Sequence, residues 1–179
     1  MDAFVALDLH PAPWVDADDL KERFHRLSAV RHPDAPGGSE EEFSALNTAW
    51  QTLREPAGCL RHYLQLTAPE TLNDERATPT ELGDLFMEIA GLKQVAQQFL
   101  TAGDRTTSPL ARALMEPQRL AIEARMNSAE ARLAEAIADA LAIIRVENPS
   151  SEMLAAALSR LTFLSNWHRQ CAELRLRLG

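Results

Sequence analysis

Only two cysteines, Cys59 and Cys171, occur in the 179 residues. They stand far apart and without partners at metal-ligand spacing, so neither a disulfide framework nor a zinc finger is supported, and a reducing compartment fits. No apolar run approaches the ~20 residues that span a bilayer. The N-terminal stretch "MDAFVALDLH" carries an acid where a signal peptide carries Lys or Arg. Cytoplasm is therefore the expected compartment. β-Branched residues are sparse, and nowhere do apolar and polar residues alternate for long enough to suggest a strand. There is no internal repeat. Positive charge is also in deficit: 18 Lys and Arg face 26 Asp and Glu, for a net charge of −8 and a pI near 5.1. Such a chain is repelled by phosphate backbones and anionic lipid, so neither nucleic acid nor a membrane is an expected partner.

What the chain does contain is Ala, Leu, Glu and Arg, and the expected fold class is all-α. Its length accommodates one sizeable domain or two small ones. In "VDADDLKERFHRLSAVR", Asp16 is placed to cap a helix with Asp19 at its third position, and Leu20, Phe24 and Leu27 form one apolar stripe. In "SEEEFSALNTAWQTLREP", Ser39 and Glu42 form a capping box. Phe43, Leu46, Trp50 and Leu53 make the next stripe, and Pro56 either ends that helix or opens a following turn. Two stripes joined by a short loop predict an antiparallel helix pair.

Between Ala68 and Ala77 the periodicity lapses into Pro, Asn and charge, which places a boundary there: a first domain over 1–68, a linker over 69–77 and a second domain over 78–179. Thr78, Pro79 and Glu81 form a helix start, followed by the stripe Leu82, Leu85, Ile89, Leu92, Ala96 and Phe99. After "TAGDRTTSP" a second long helix starts near Ser108 or, with Pro117 as kink or restart, near Glu116, and runs through Leu133, Ile137, Leu141 and Ile144. "ENPSS" is a turn, and a last helix carrying Leu154, Leu158, Leu161, Leu164 and Cys171 completes an expected three-helix bundle.

The candidate site is "RLSAVRHPDAPGG", Arg26 to Gly38. Pro33 locks its own φ and pushes His32 out of helical geometry, so the helix ends near Arg31 and His32 and Asp34 sit on a stiff, exposed corner. A metal site needs further His, Cys or carboxylate ligands at a repeated spacing, and His25, seven residues back, completes no set. A hydrolytic site needs a nucleophile and an orienting acid converging on the histidine, whereas Asp34 lies two residues away across a proline. No catalytic residue, metal or cofactor is expected, and the chain is not read as an enzyme. The preceding helix carries Lys21, Arg23, Arg26 and Arg31, with only Glu22 opposing them from Leu20 onward. A basic helix beside a rigid corner suits an acidic partner; the plainer reading is a solvated charge run.

"FVALDL", the basic helix, "HPD" and "FSALNTAWQTLREPAGCLRHYLQL" together resemble a J-domain, the module through which DnaJ-type co-chaperones engage a heat shock protein 70 family chaperone of the DnaK/HscA type. The run "LNTAWQTLREP" with the following "RHYL" is similar to the iron–sulfur co-chaperone HscB, as are "LFMEIAGLK" and "LTFLSNW" in the second domain. The resemblance implies a J-domain hairpin with short flanking helices plus a C-terminal three-helix client-binding domain. It implies that His32, Pro33 and Asp34, with Lys21, Arg23, Arg26 and Arg31, dock the chaperone's ATP state and activate its ATPase. It also implies that the second domain delivers an iron–sulfur cluster scaffold protein of the IscU type, in a bacterial cytoplasm or, alternatively, a mitochondrial matrix. By helical geometry Met87, Ala90 and Gln94 fall off the core stripe, with Phe86 at its border, and Phe163 and Trp167 fall off the Leu154–Leu158–Leu161 stripe. These six form the candidate client surface, or else belong to a broad core. The chain departs from the family pattern at Ala35, where lysine is usual, at Arg31, where an aromatic is usual, and at Gly91 and Gln94, where acids grip the scaffold. The alternative is an adaptor with a J-domain whose second domain binds another client or itself.

Overall fold

The computed structural model describes residues 2–74, 80–104 and 108–178. Among these residues every regular element is helical and no strand occurs, so the chain is all-α. Contacts divide it into two units, Met1–Arg76 with Leu141–Leu161, and Ala77–Ala140 with Thr162–Gly179. The segment 141–161, expected to belong to the second domain, thus packs with the first unit.

In the first unit, α1 (Ala3–Ala6) is capped by the Asp2 carboxylate, which accepts the Phe4 N–H at 2.9 Å. Asp16 caps α2 (Ala17–Arg31), accepting the amides of Asp18 at 2.9 Å and Asp19 at 3.1 Å. Ser39 Oγ caps α3 (Glu40–Leu53) through the Glu42 N–H at 3.1 Å. Pro56 is expected to end that helix or open a following turn; instead α3 ends at Leu53 and Pro56 opens a further helix, α4 (Pro56–Thr67), from the first helical position, where its missing N–H costs nothing. The expected linker begins as a 3₁₀ turn, Pro69–Asp74, that packs on α4.

Phe24 stacks on Trp50 with ring centroids 4.7 Å apart, and His32 meets Phe43 edge-on at 4.9 Å. Later residues of α2 therefore meet earlier residues of α3, and the pair is antiparallel. Both predicted stripes are used: Leu20, Leu27, Leu46 and Leu53 are buried, and Phe4 and Leu7 close the same core from the α1 side. Full burial of such side chains contributes about 1.5–3 kcal/mol each, enough to hold a four-residue helix that would not form alone.

In the second unit the helix start expected at Thr78 and Pro79 lies outside the described residues. Glu81 falls in a 3₁₀ turn, Thr80–Leu82, that leads into α5 (Gly83–Asp104). Residues 105–107 of the interruption before the next helix likewise lie outside the described residues. Then α6 (Pro109–Ile144) starts after Ser108, the earlier of the two expected positions, and continues through Pro117 without a break. The last helix, α7 (Ser151–Leu178), begins after a turn in which Ser150 Oγ accepts the Met153 N–H at 3.2 Å. The three helices touch pairwise: Arg132 of α6 pairs with Glu88 of α5, Lys93 of α5 reaches Gln170 of α7 at 3.2 Å, and Arg175 of α7 reaches Glu130 of α6 at 2.6 Å. Leu85, Ile89, Leu92 and Ala96 of α5 are buried, as predicted from their spacing.

Candidate functional site

The corner at residues 32–38 is built by backbone geometry. His32 is the C-cap of α2, with φ −59° and ψ 139°, the extended conformation that a following proline imposes. Its N–H still donates to the Ser28 carbonyl at 3.0 Å, while its own carbonyl accepts the Ala35 N–H at 2.8 Å, and the Gly38 N–H donates to the Ala35 carbonyl at 3.0 Å. Two consecutive turns therefore bring the chain round to Ser39 and α3. The Phe43 ring braces the imidazole from the first turn of that helix.

Within the corner the Asp34 N–H donates to His32 Nδ1 at 3.2 Å, and Asp34 Oδ2 lies 3.5 Å from the same nitrogen. The first contact requires an unprotonated Nδ1 and the second a protonated one, so they belong to alternative states of the ring. In both, the histidine orients the residue two positions on. The Asp34 side chain is 92% exposed and that of His32 is 47% exposed. Both are open to a partner, and Pro33 is exposed between them.

The four basic residues of α2 divide into two pairs. Lys21 and Arg26 are exposed and take part in no ion pair among the described residues. Arg23 pairs with Asp19 at 3.0 Å and donates through Nη1 to the Asp8 carbonyl at 2.9 Å. Arg31 donates through Nη1 to the Ala6 carbonyl at 2.7 Å and lies 3.6 Å from the Asp8 carboxylate. These two guanidiniums tie the segment after α1 onto α2, and Arg31 also satisfies a carbonyl at the end of α1, where cation and helix dipole attract. The signal for this was present in the spacing: Arg31 follows Leu27 by four residues and so lies on the buried stripe, not on the outer face. Sequence reasoning missed Val30, which is 64% exposed and sits one turn beyond Arg26 on the outer side of the helix.

On α5, Phe86 and Met87 are exposed, Met87 at 68%, and Ala90 and Gln94 share their open face. Phe163 is half-buried. Trp167, expected off the core stripe, is instead buried at 5% exposure. Leu164 and Cys171 bracket it at three and four residues, and both are buried, so the stripe of α7 continues through the tryptophan. Trp167 packs beneath the patch, with Phe86 and Phe163 at centroid distances of 5.8 and 6.0 Å. Sequence reasoning also missed Leu110, Leu114 and Leu120 of α6, each more than half exposed, because it weighed only the inward stripe of that helix.

Neither cysteine offers a nucleophile. Cys59 is buried against the Ala12 carbonyl, and burial pushes its thiol up to about 12; burial raises Cys171 as well. Among the described residues no group of three or more His, Cys, Asp or Glu converges to hold a metal, and no helix is long and apolar enough to cross a membrane. In comparisons with known proteins the chain matches no protein-family model, no curated protein and no solved structure.

Proposed function

We propose that the chain is a J-type co-chaperone. Its first unit acts as a J-domain that stimulates the ATPase of a heat shock protein 70 family chaperone, and its second acts as a three-helix bundle that presents an iron–sulfur cluster scaffold protein. The observation that carries this reading is the His32-Pro33-Asp34 corner, exposed at the end of an antiparallel helix pair and held there by two backbone turns and the Phe43 ring. A carboxylate so presented suits a charge-assisted hydrogen bond to a guanidinium of the partner, with Lys21 and Arg26 adding attraction to an acidic surface. ATP cleavage belongs to the chaperone, whose conformational equilibrium the co-chaperone biases by binding one state better. The cytoplasm is the proposed location. Titrating the full chain into a cognate chaperone is expected to raise steady-state ATP turnover saturably; turnover that stays flat to roughly 50 μM, well above the affinity such an interface needs, overturns the reading.

The client side rests on the aromatic and Met patch of α5 and α7, in which Phe86 and Met87 are exposed over the buried Trp167. Met87→Glu in the full chain is expected to leave ATPase stimulation intact and to weaken capture of the scaffold by about tenfold or more, since it places a charge in an apolar contact. Unchanged capture removes Met87 from the contact. The absence of acids at Gly91 and Gln94 favours, as a second reading, an adaptor that brings a different client or a second copy of itself; loss of all scaffold capture in the wild type selects it.

A further inference from the structure

A cleft of about 230 Å³ opens in the first unit between the start of α2, the end of α3, the start of α4 and the end of α6. Its deep wall is apolar: Leu20, Leu53 and Cys59 are each at most 3% exposed. Trp14 and Trp50 flank it nearer the solvent, and the second indole is fixed in plane by stacking on Phe24. Two guanidiniums, those of Arg54 and Arg145, stand at the exposed edge. We propose that this cleft binds a small aromatic carboxylate, its ring between the indoles and its acid on Arg145.

The size, the walls and the charge each select this class. A dry cavity of about 150 Å³ admits a single benzene ring, so the cleft holds a bicyclic ring or one ring with a short acid arm, and it is too small for a nucleotide. Indole walls favour a flat, polarisable guest, because offset stacking adds to apolar burial. The Arg145 guanidinium lies 4.9 Å from the centre of the Trp14 ring, a cation–π contact that orients the group while leaving its N–H edge available. No carboxylate pairs with Arg145 among the described residues, and a guanidinium fork matches a carboxylate in geometry as well as charge. Arg54 is held by Glu55 at 3.5 Å in an exposed pair of little strength. The acid in the lining, Asp16, accepts the amides of Asp18 and Asp19 through Oδ1 as the cap of α2, whereas Arg54 and Arg145 bring two positive charges to the same lining. The bound ring would bridge α2, α3, α4 and α6, and this site is independent of the chaperone reading.

The test uses the full chain and 2-naphthoate, with 2-naphthalenemethanol as its uncharged counterpart. Both are followed by the indole N–H resonances of Trp14 and Trp50, with Trp167 of the second unit as internal control. Saturable shifts at Trp14 and Trp50 with a midpoint below about 1 mM, Trp167 unmoved, and an acid preferred over the alcohol by about fivefold or more are expected. Arg145→Gln is expected to erase that preference while leaving the alcohol's binding as it was. No saturable shift up to about 5 mM, equal movement of all three indoles, or equal affinity for acid and alcohol in the wild type each overturn the proposal.

Discussion

Asp34→Asn is expected to leave the thermal unfolding of the chain unchanged and to raise the concentration needed for half-maximal chaperone stimulation by roughly one to two orders of magnitude. The side chain is 92% exposed and its contact with His32 is a 3.5 Å surface pair, so its removal costs the fold little. Asn keeps the shape of the residue and loses the charge. A hydrogen bond to a charged group contributes about 1.5–3 kcal/mol, which sets the size of the expected effect. His32→Gln is expected to act in the same direction by another route, because glutamine lacks the ring that packs on Phe43 and so leaves its amide acceptor without the bracing that fixes Nδ1 against the Asp34 N–H. Steady-state ATPase measured alongside thermal unfolding checks both. Wild-type stimulation by Asp34→Asn would mean that the corner only ends a helix.

Gly38→Ala is expected to damage both stability and function. A Cβ at Gly38 would stand 2.0 Å from the His32 carbonyl oxygen and 2.9 Å from its carbon, so the corner has to move; the other contact, Arg31 carbon at 3.0 Å, is backbone too. Overpacking against groups that cannot rotate away costs about 1–3 kcal/mol, and here the displaced groups carry the residues proposed to dock the chaperone. Gly37 provides the control. It has φ +86° with open space around it, so Gly37→Ala incurs the left-handed backbone cost of about 1–2 kcal/mol without pushing on His32. Denaturant unfolding should register both substitutions, whereas the His32 imidazole resonances and the ATPase stimulation should change sharply only for Gly38→Ala. Equal effects of the two on stimulation would show that loop flexibility, not the glycine–histidine contact, holds the corner.

The helices themselves were legible in the sequence because their causes are local. Asp16 and Ser39 cap where their spacing to Asp19 and Glu42 places them, and Leu20, Leu27, Leu46 and Leu53 are buried where a 3.6-residue period puts them. The exposed corner was legible for the same reason, since proline restricts its neighbour whatever the rest of the chain does. Pro56 and Pro117 mark the limit of that reasoning. One opens a helix and the other sits inside one, and the outcome depends on what packs against the flanking turns.

What the sequence alone determined is therefore an all-α chain with capped, striped helices and a stiff His-Pro-Asp corner; these follow from interactions within a few residues. The tertiary structure decided which charges are free and which apolar residues are hidden. Arg31 reaches a carbonyl 25 positions away and Arg23 one 15 away, so half of the expected basic face holds α1 instead of facing a partner. Trp167 is buried because helices α5 and α7 meet there, and the cleft exists only where Trp14, Trp50 and Arg145, distant in sequence, come together. Periodicity names the face of a helix, but what that face meets is settled by chain segments whose positions no local pattern encodes.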